Sequence, residues 1–229
     1  MNLFIDTSTE RGLVAAGNTR NLSFVKELPF GLHQSKHLIP ILQEALLIEG
    51  FFPLGAIGVA VGPGSYTGIR VGAAIAQALA YSWKIPLVGI PSTESFIPNT
   101  NDGNFAVLFD ARIGGVYIQI GEMKQGKPSF QSPPRLASIE EAGTLLKDVS
   151  HVVTPFAKQL VERLKHFDPE NRWTWEERAP SAEISLSHLE NEISEGKIIV
   201  PPERLELLYL RATEAERQKK ASYPDLFVD

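Results

Sequence analysis

Residues 62–72 read GPGSYTGIRVG, directly after the apolar run Ala56–Val61, AIGVAV. A continuous apolar run of this kind reads as a buried strand. A glycine-rich loop between a strand and a helix is geometry that can hold an anion on free N–H groups. The pattern is not the P-loop, because Ile69 stands where a lysine must follow Gly68, and it is not GxGxxG. The helix it opens, Thr67–Trp83, carries Gly68, Gly72, Ala76 and Ala80 at every fourth position, hence on one face. Small residues let another backbone come close. Gly72 inside a helix costs about 1 kcal/mol against alanine, so it needs a packing reason. Two readings stand: the stripe meets the chain's own sheet or first helix, or it meets a partner.

On the N-terminal side of this stretch, Asn2–Asp6, Gly12–Gly17 and Leu22–Leu28 read as a strand meander. Residues 35–50 (SKHLIPILQEALLIEG) read as a helix with Pro40 in its early turns or bending it. Its apolar residues Leu38, Ile41, Leu42, Ala45, Leu46 and Ile48 cover more than one narrow stripe. Such a helix is buried on two sides or meets a partner. On the C-terminal side, Leu87–Ile90 is a short buried strand, and Asn99–Asn104 (NTNDGN) is a polar linker. After it the opening pattern returns. FAVLFD (105–110) is a strand ending in aspartate, as NLFID (2–6) is, and GVYIQIGEM (115–123) is an alternating strand after the turn. Two such openings predict a duplicated α/β architecture. Helices are expected near Ser138–Leu146, Phe156–His166 and Ala182–Ser194, and a strand at His151–Val153. LELLYLRATEAERQKK (205–220) is expected to form a short helix returning to the first half. The expected division is residues 1–100 plus 206–229 as one subdomain and 101–205 as the other.

The 229 residues allow one large domain or two small ones. A hydrophobic share of 43% and a charged share of 21% suit a core-forming globular chain. A net charge of −5 does not favour gripping nucleic acid alone, and Arg217, Lys219 and Lys220 read as a solvated tail. The absence of cysteine excludes disulfides, zinc–thiolate sites, iron–sulfur clusters and thiol nucleophiles. Early charges at Asp6, Glu10 and Arg11 predict no signal peptide. The stretch Val71–Trp83 is too short for a membrane span. A cytoplasmic protein is expected.

HQSKH (33–37) has the HxxxH spacing of zinc proteases, but Gln34 holds the place of the glutamate base. An exposed helix entry is the plainer reading. Asp6 heads DTST. In actin-like ATPases an aspartate ending the first strand helps hold the nucleotide's metal, and a glycine-bearing turn wraps the phosphates. DTST has no glycine, whereas DARIGG (110–115) has Gly114 and Gly115, so one half of such a clamp is blunted. Asp6 and Asp110 are either a Mg²⁺ pair or structural turn residues. His151, His166 and His188 have no evident partners, and Trp173 and Trp175 alternate as core or rim residues of a strand.

Together, IDTST (5–9), VGPGSYTGIRVG (61–72), LVGIPSTESF (87–96), DARIGGVY (110–117) and YLR (209–211) resemble the TsaB family of tRNA threonylcarbamoyladenosine biosynthesis proteins. That family is related to the glycoprotease-like, actin-like ATPases. The resemblance covers residues 1 to about 120 and returns at Tyr209–Arg211. It implies an α/β, actin-like (ASKHA) duplicated fold with two related subdomains. It implies a non-catalytic scaffold subunit that dimerises with a TsaD-like catalytic paralogue in making N6-threonylcarbamoyladenosine in tRNA. That paralogue carries a metal-binding histidine pair at the place of residues 90–95, where this chain has no histidine. The resemblance further implies a dimer surface on the first two helices, here Leu38, Ile41, Leu42, Ala45, Gly68, Gly72, Ala76 and Ala80. On that reading Gly72→Leu breaks assembly. Other implied partners are a small TsaE-like ATPase subunit, a second copy of this chain, and tRNA reached through the complex; no membrane is implied. The resemblance implies no catalytic residue and no metal in this chain. The chain requires no cofactor itself, with ATP or ADP and Mg²⁺ placed at the complex interface and a residual nucleotide site at Asp6, Thr7, Ser8, Asp110 and Gly114.

Two departures stand out. Gly115 replaces the family's usual glutamate, and Thr154-Pro155-Phe156 replaces a Gly-x-Gly turn. The rival readings are an actin-like ATPase or phosphotransferase using Asp6 and Asp110, and a metal-dependent protease using His33 and His37.

Overall fold

The structure, a computed structural model, describes residues 1–31, 35–48, 50–198 and 202–211. The first three strands, β1 (Asn2–Asp6), β2 (Leu13–Asn18) and β3 (Asn21–Glu27), form the expected antiparallel meander. Helix α1 (Ser35–Leu46) follows with Pro40 inside it, then β4 (Ile57–Ala60), α2 (Tyr66–Trp83) and β5 (Leu87–Ile90). β4 lies parallel to β1, and β5 parallel to β4, so the first sheet runs β3-β2-β1-β4-β5.

The second sheet repeats the plan. β6 (Gly103–Asp110) and β7 (Val116–Lys124) pair antiparallel, as do β7 and β8 (Lys127–Phe130). β9 (Arg135–Ala137) pairs the other end of β7, so the third-strand place is split between two short pieces. α3 (Ile139–Leu145), β10 (His151–Thr154), α4 (Lys158–Leu164) and β11 (Thr174–Glu177) follow, and β10 and β11 extend the sheet in parallel from β6. The order β8-β7-β6-β10-β11 matches β3-β2-β1-β4-β5 strand for strand. The duplication expected from the two strand–aspartate openings is present.

Side chains alternate across a strand, and the first sheet uses both faces. Leu3 and Ile5 pack with α1 and α2, through Leu38, Ile41, Leu42, Ala45, Ala73, Ala76 and Ala80. Phe4, Leu13 and Ala15 turn the other way, onto Ala182, Leu186 and Leu189 of helix α5 (Ala182–Ser194). α5 lies within the range expected for the second subdomain, yet its buried face packs on the first sheet. Residues 205–208 also return to the first half: Leu205 joins its core, and the Leu208 N–H donates to the Val61 carbonyl at 2.8 Å. Of the helix expected over 205–220, residues 205–211 are not helical and follow a 3₁₀ turn, Pro202–Arg204, while 212–220 lie outside the described residues. Arg217, Lys219 and Lys220 lie outside the described residues. In the second lobe, Trp173 is buried among Leu146, Leu160 and Leu164 and donates its indole N–H to the Leu146 carbonyl at 3.0 Å. Among the described residues, no helix is long and apolar enough to cross a membrane.

Candidate functional site

The loop that opens α2 is shaped by the turn after β1. Ser65 caps the helix: its hydroxyl accepts from the Gly68 N–H at 3.2 Å, and its own N–H donates to the Ser8 carbonyl at 2.6 Å. Thr7 lies along the helix, its hydroxyl donating to the Gly68 carbonyl at 2.7 Å. A Cβ at Gly68 would stand 2.0 Å from the Thr7 carbonyl oxygen, and one at Gly72 would stand 2.5 Å from Thr7 Oγ1. Gly64 has φ +153° and its Cβ position falls 2.2 Å from the Ser8 oxygen. The glycines therefore make room for the chain's own Thr7–Ser8 turn, and that turn occupies the helix N-terminus where an anion would bind.

This placement revises the expected partner surface residue by residue. Leu38, Ile41, Leu42, Ala45, Gly72, Ala76 and Ala80 are all buried in the chain's own core, and Gly68 is partly covered by Thr7. The outer side of the same two helices carries other apolar groups: Ile39, Leu46 and Leu47 on and just after α1, Tyr81 on α2, and Phe52 in the following loop, edge-on to Trp83 at 5.1 Å. Leu47 is 86% exposed.

The residual nucleotide set divides into two groups, each tied inside its own surroundings. Asp6 and Ser8 are fully buried and Thr7 nearly so. Asp6 Oδ1 accepts the Ser8 N–H at 2.7 Å, while Oδ2 and the Ser8 hydroxyl have no hydrogen-bonding partner in the protein. Burial pushes the Asp6 carboxyl up to about 6, against the opposing pull of its hydrogen bonding to Ser8. In the second lobe, Asp110 Oδ1 accepts Arg163 Nη1 at 2.6 Å and the Arg112 N–H at 2.7 Å. Arg163 also reaches the carbonyls of Arg112 and Gly115, both at 3.3 Å. The stem of Arg211 lies 3.4 Å from the Cβ position of Gly114, and its Nη1 donates to the Ala111 carbonyl at 2.6 Å. The nucleotide with Mg²⁺ that the resemblance implies does not fit these residues. One carboxyl is sealed under Thr7 and Ser8, and the other is engaged by a guanidinium.

Gly115, the departure from the family pattern, has a backbone reason: φ is +105°, and a Cβ would meet the Ala137 carbonyl oxygen at 2.1 Å. At the other departure, the Pro155 carbonyl accepts Arg11 Nε at 2.8 Å. Arg11 Nη2 reaches Glu177 at 2.9 Å, and the opposite carboxylate oxygen of Glu177 accepts the Ala157 N–H at 3.0 Å. The Ala157 N–H holds the Glu177 carboxyl below its usual range against the opposing effect of burial, and Arg11 adds to the pull.

Tyr209 of YLR stacks on Tyr66 at 5.2 Å and accepts Arg70 Nε at 2.8 Å, which joins the last motif of the chain to the first turn of α2. In the segment 90–95, where the resemblance places the catalytic paralogue's histidines, hydroxyls stand instead. Ser92 accepts the Gly62 N–H at 2.9 Å, and Ser95 accepts from Ser185 of α5 at 2.9 Å. Among the described residues, no group of three or more His, Asp or Glu side chains gathers as metal ligands. His37 is exposed on α1, and His33 lies outside the described residues. His151 does have a partner, Glu176 at 3.0 Å, and His188 lies 3.4 Å from Glu94.

A duplicated α/β chain whose first half packs a glycine-rich helix against an aspartate turn defines a class, and the comparisons agree with it. The family model of TsaD, tRNA N6-adenosine threonylcarbamoyltransferase, matches residues 32–152. The TsaB of Bacillus subtilis, a tRNA threonylcarbamoyladenosine biosynthesis protein, is 30% identical over 71% of this chain and 72% of its own length. The TsaB of Escherichia coli is 34% identical over 50% of this chain and 52% of its own. The chain thus spans about half the length of that relative. A solved structure, YeaZ from Pseudomonas aeruginosa, superposes with a TM-score of 0.76 at 22% identity, covering 91% of this chain and 99% of that one, and it shows the shared fold. The chain belongs to the TsaB family.

Proposed function

We propose that this chain is a non-catalytic subunit in the making of N6-threonylcarbamoyladenosine in tRNA, acting by dimerising with a TsaD-like catalytic paralogue. Family membership supplies the pathway. The observation that carries the subunit role is that both half-sites are already engaged by the chain itself. Asp6 is closed under its own turn and Asp110 is engaged by Arg163, so this chain keeps the fold without the catalytic equipment. The transferred group, the metal and the nucleotide then belong to the partner or to its interface with this chain. Assembly uses the outer face of α1 and α2, where Ile39, Leu46, Leu47 and Tyr81 present apolar surface to water. Large exposed apolar groups of this kind mark contact sites. Two copies of this chain meeting through the same face compete with the heterodimer. tRNA is held through the complex, in keeping with the net charge of −5. A small TsaE-like ATPase joins the assembly, which works in the cytoplasm.

The test is light scattering after size exclusion, on the chain mixed with the TsaD-like protein of the same cell. A one-to-one complex is expected, and it is expected to weaken at least tenfold in Leu47→Asp combined with Ile39→Asp, a loss of more than about 1.4 kcal/mol. No complex with the wild-type chain would overturn the subunit reading. Undiminished assembly by the double variant would move the interface elsewhere.

A further inference from the structure

We infer that this chain's own arginines hold the cleft between its lobes closed, taking the bridging place that a nucleotide fills in an ATP-binding relative of the fold. The inference concerns this chain alone and stands whether or not the paralogue binds. Two clamps carry it, from opposite ends of the sequence. Arg11 leaves the first-lobe turn after β1 and bonds the Pro155 carbonyl at 2.8 Å and Glu177 at 2.9 Å, both in the second lobe. Its guanidinium also lies 5.3 Å from the ring of Phe30, which meets Phe156 across the same gap at 5.7 Å. Arg211 belongs to the segment that Leu208 and Tyr209 fasten to the first lobe, through the Val61 carbonyl and Tyr66. It bonds the Ala111 carbonyl, in the second-lobe turn, at 2.6 Å.

The two receiving turns are 110–115, the glycine-bearing half of the expected clamp, and 154–156, where Thr-Pro-Phe stands in place of the family's Gly-x-Gly turn. Each is bound by a cationic side chain acting on backbone carbonyls. The N–H groups an anion would need are spent inside the turns: those of Ala111, Gly114 and Gly115 on the carbonyls of Gly115, Ala111 and Arg112 at 3.2, 3.3 and 3.4 Å, that of Arg112 on Asp110 at 2.7 Å, and that of Phe156 on Thr154 Oγ1 at 3.4 Å. In the first-lobe turn Ser8 gives its carbonyl to Ser65 and Thr7 gives its hydroxyl to Gly68, and the two polar atoms left without a partner, Asp6 Oδ2 and the Ser8 hydroxyl, are buried. Closure is thereby built into the covalent chain instead of being conferred by a bound molecule.

Hydrogen exchange on the full chain tests this. The wild type is expected to show the same exchange at 6–9, 110–116 and 154–158, and the same Tm within about 1 °C, with and without millimolar ATP or ADP and Mg²⁺. In Arg11→Ala combined with Arg211→Ala, exchange at 110–116 and 154–158 is expected to rise roughly tenfold or more while β1, β4 and β6 stay protected. Should those strands lose protection too, Arg11→Lys and Arg211→Lys singly carry the same criterion, since lysine keeps the charge without the forked donors. Nucleotide protection of the wild-type turns, or arginine variants that exchange like wild type at both, would overturn the inference.

Discussion

Asp6 is a carboxyl with one oxygen satisfied and the other buried without a partner in the protein. Its folded value of about 6 lies above the ordinary 3.8. The folded chain therefore holds this proton more tightly than the unfolded chain does. The stability this contributes is complete below pH 3.8 and is lost as pH rises through about 6. The shift of roughly two pKa units corresponds to about 3 kcal/mol. Asp6→Asn keeps the acceptor for Ser8 and removes the charge. It is expected to raise stability at pH 8 by up to that amount, with the gain vanishing toward pH 4, in urea titrations across that range. An equal loss at both pH values would mean that the carboxylate is held by interactions the asparagine cannot replace. Sequence shows that Asp6 ends a strand, but its burial depends on Thr7 and Ser8 meeting a helix some sixty residues away, at Gly68. Gly115 is similar. It reads as a departure from a pattern until the Ala137 carbonyl is seen where its side chain would go.

At the scale of elements, periodicity was enough to place α2, α5 and the strands around both aspartates. β8 and β9 were not visible, because KPSF and RLA are short, half polar and separated by prolines, with no alternation long enough to register. The small-residue stripe of α2 was visible, but not what it faces; a stripe shows close approach and cannot name the neighbour. The structure gives Thr7 as the neighbour of Gly68 and Gly72, and the chain's own core as that of Ala76 and Ala80, which changes what a substitution tests. Gly68→Ala should cost roughly 2–4 kcal/mol despite alanine's better helix propensity, since backbone must move aside. Ala74→Leu, on the exposed side of the same helix, should stay within about 0.5 kcal/mol. Chemical denaturation of the two variants decides. Equal, small effects would mean that the turn at Thr7 yields without cost. Gly72→Leu is a poor assembly probe for the same reason, as its first effect falls on the fold.

Across the whole molecule, the duplicated plan was legible because each half opens with the same strand–aspartate signal. The way the halves are joined was not, because α5, Arg11 and Arg211 act on partners remote in sequence. α5 comes from the second half of the chain and covers the face of the first sheet formed by Phe4, Leu13 and Ala15. The lobes are therefore expected to unfold as one unit. Leu186→Ala should lower a single calorimetric transition, by about 2–5 kcal/mol at the midpoint, without splitting it. Two resolved transitions would show that the lobes are separate cooperative units.

The Thr7–Ser8 turn, seated against α2, also bears on what substitutions the chain can accept. Admitting a nucleotide would require clearing Thr7, freeing Asp110 from Arg163 and placing glycine at 154–156. Each of these steps removes an existing contact before any ligand is present to replace it, and a typical single step of that sort destabilises by about 1 kcal/mol. Chains already close to their stability threshold lose such intermediates to selection. The arrangement therefore acts as a ratchet. The two halves have closed their sites by different means, one with its own backbone and one with arginines, and no single reversal reopens both.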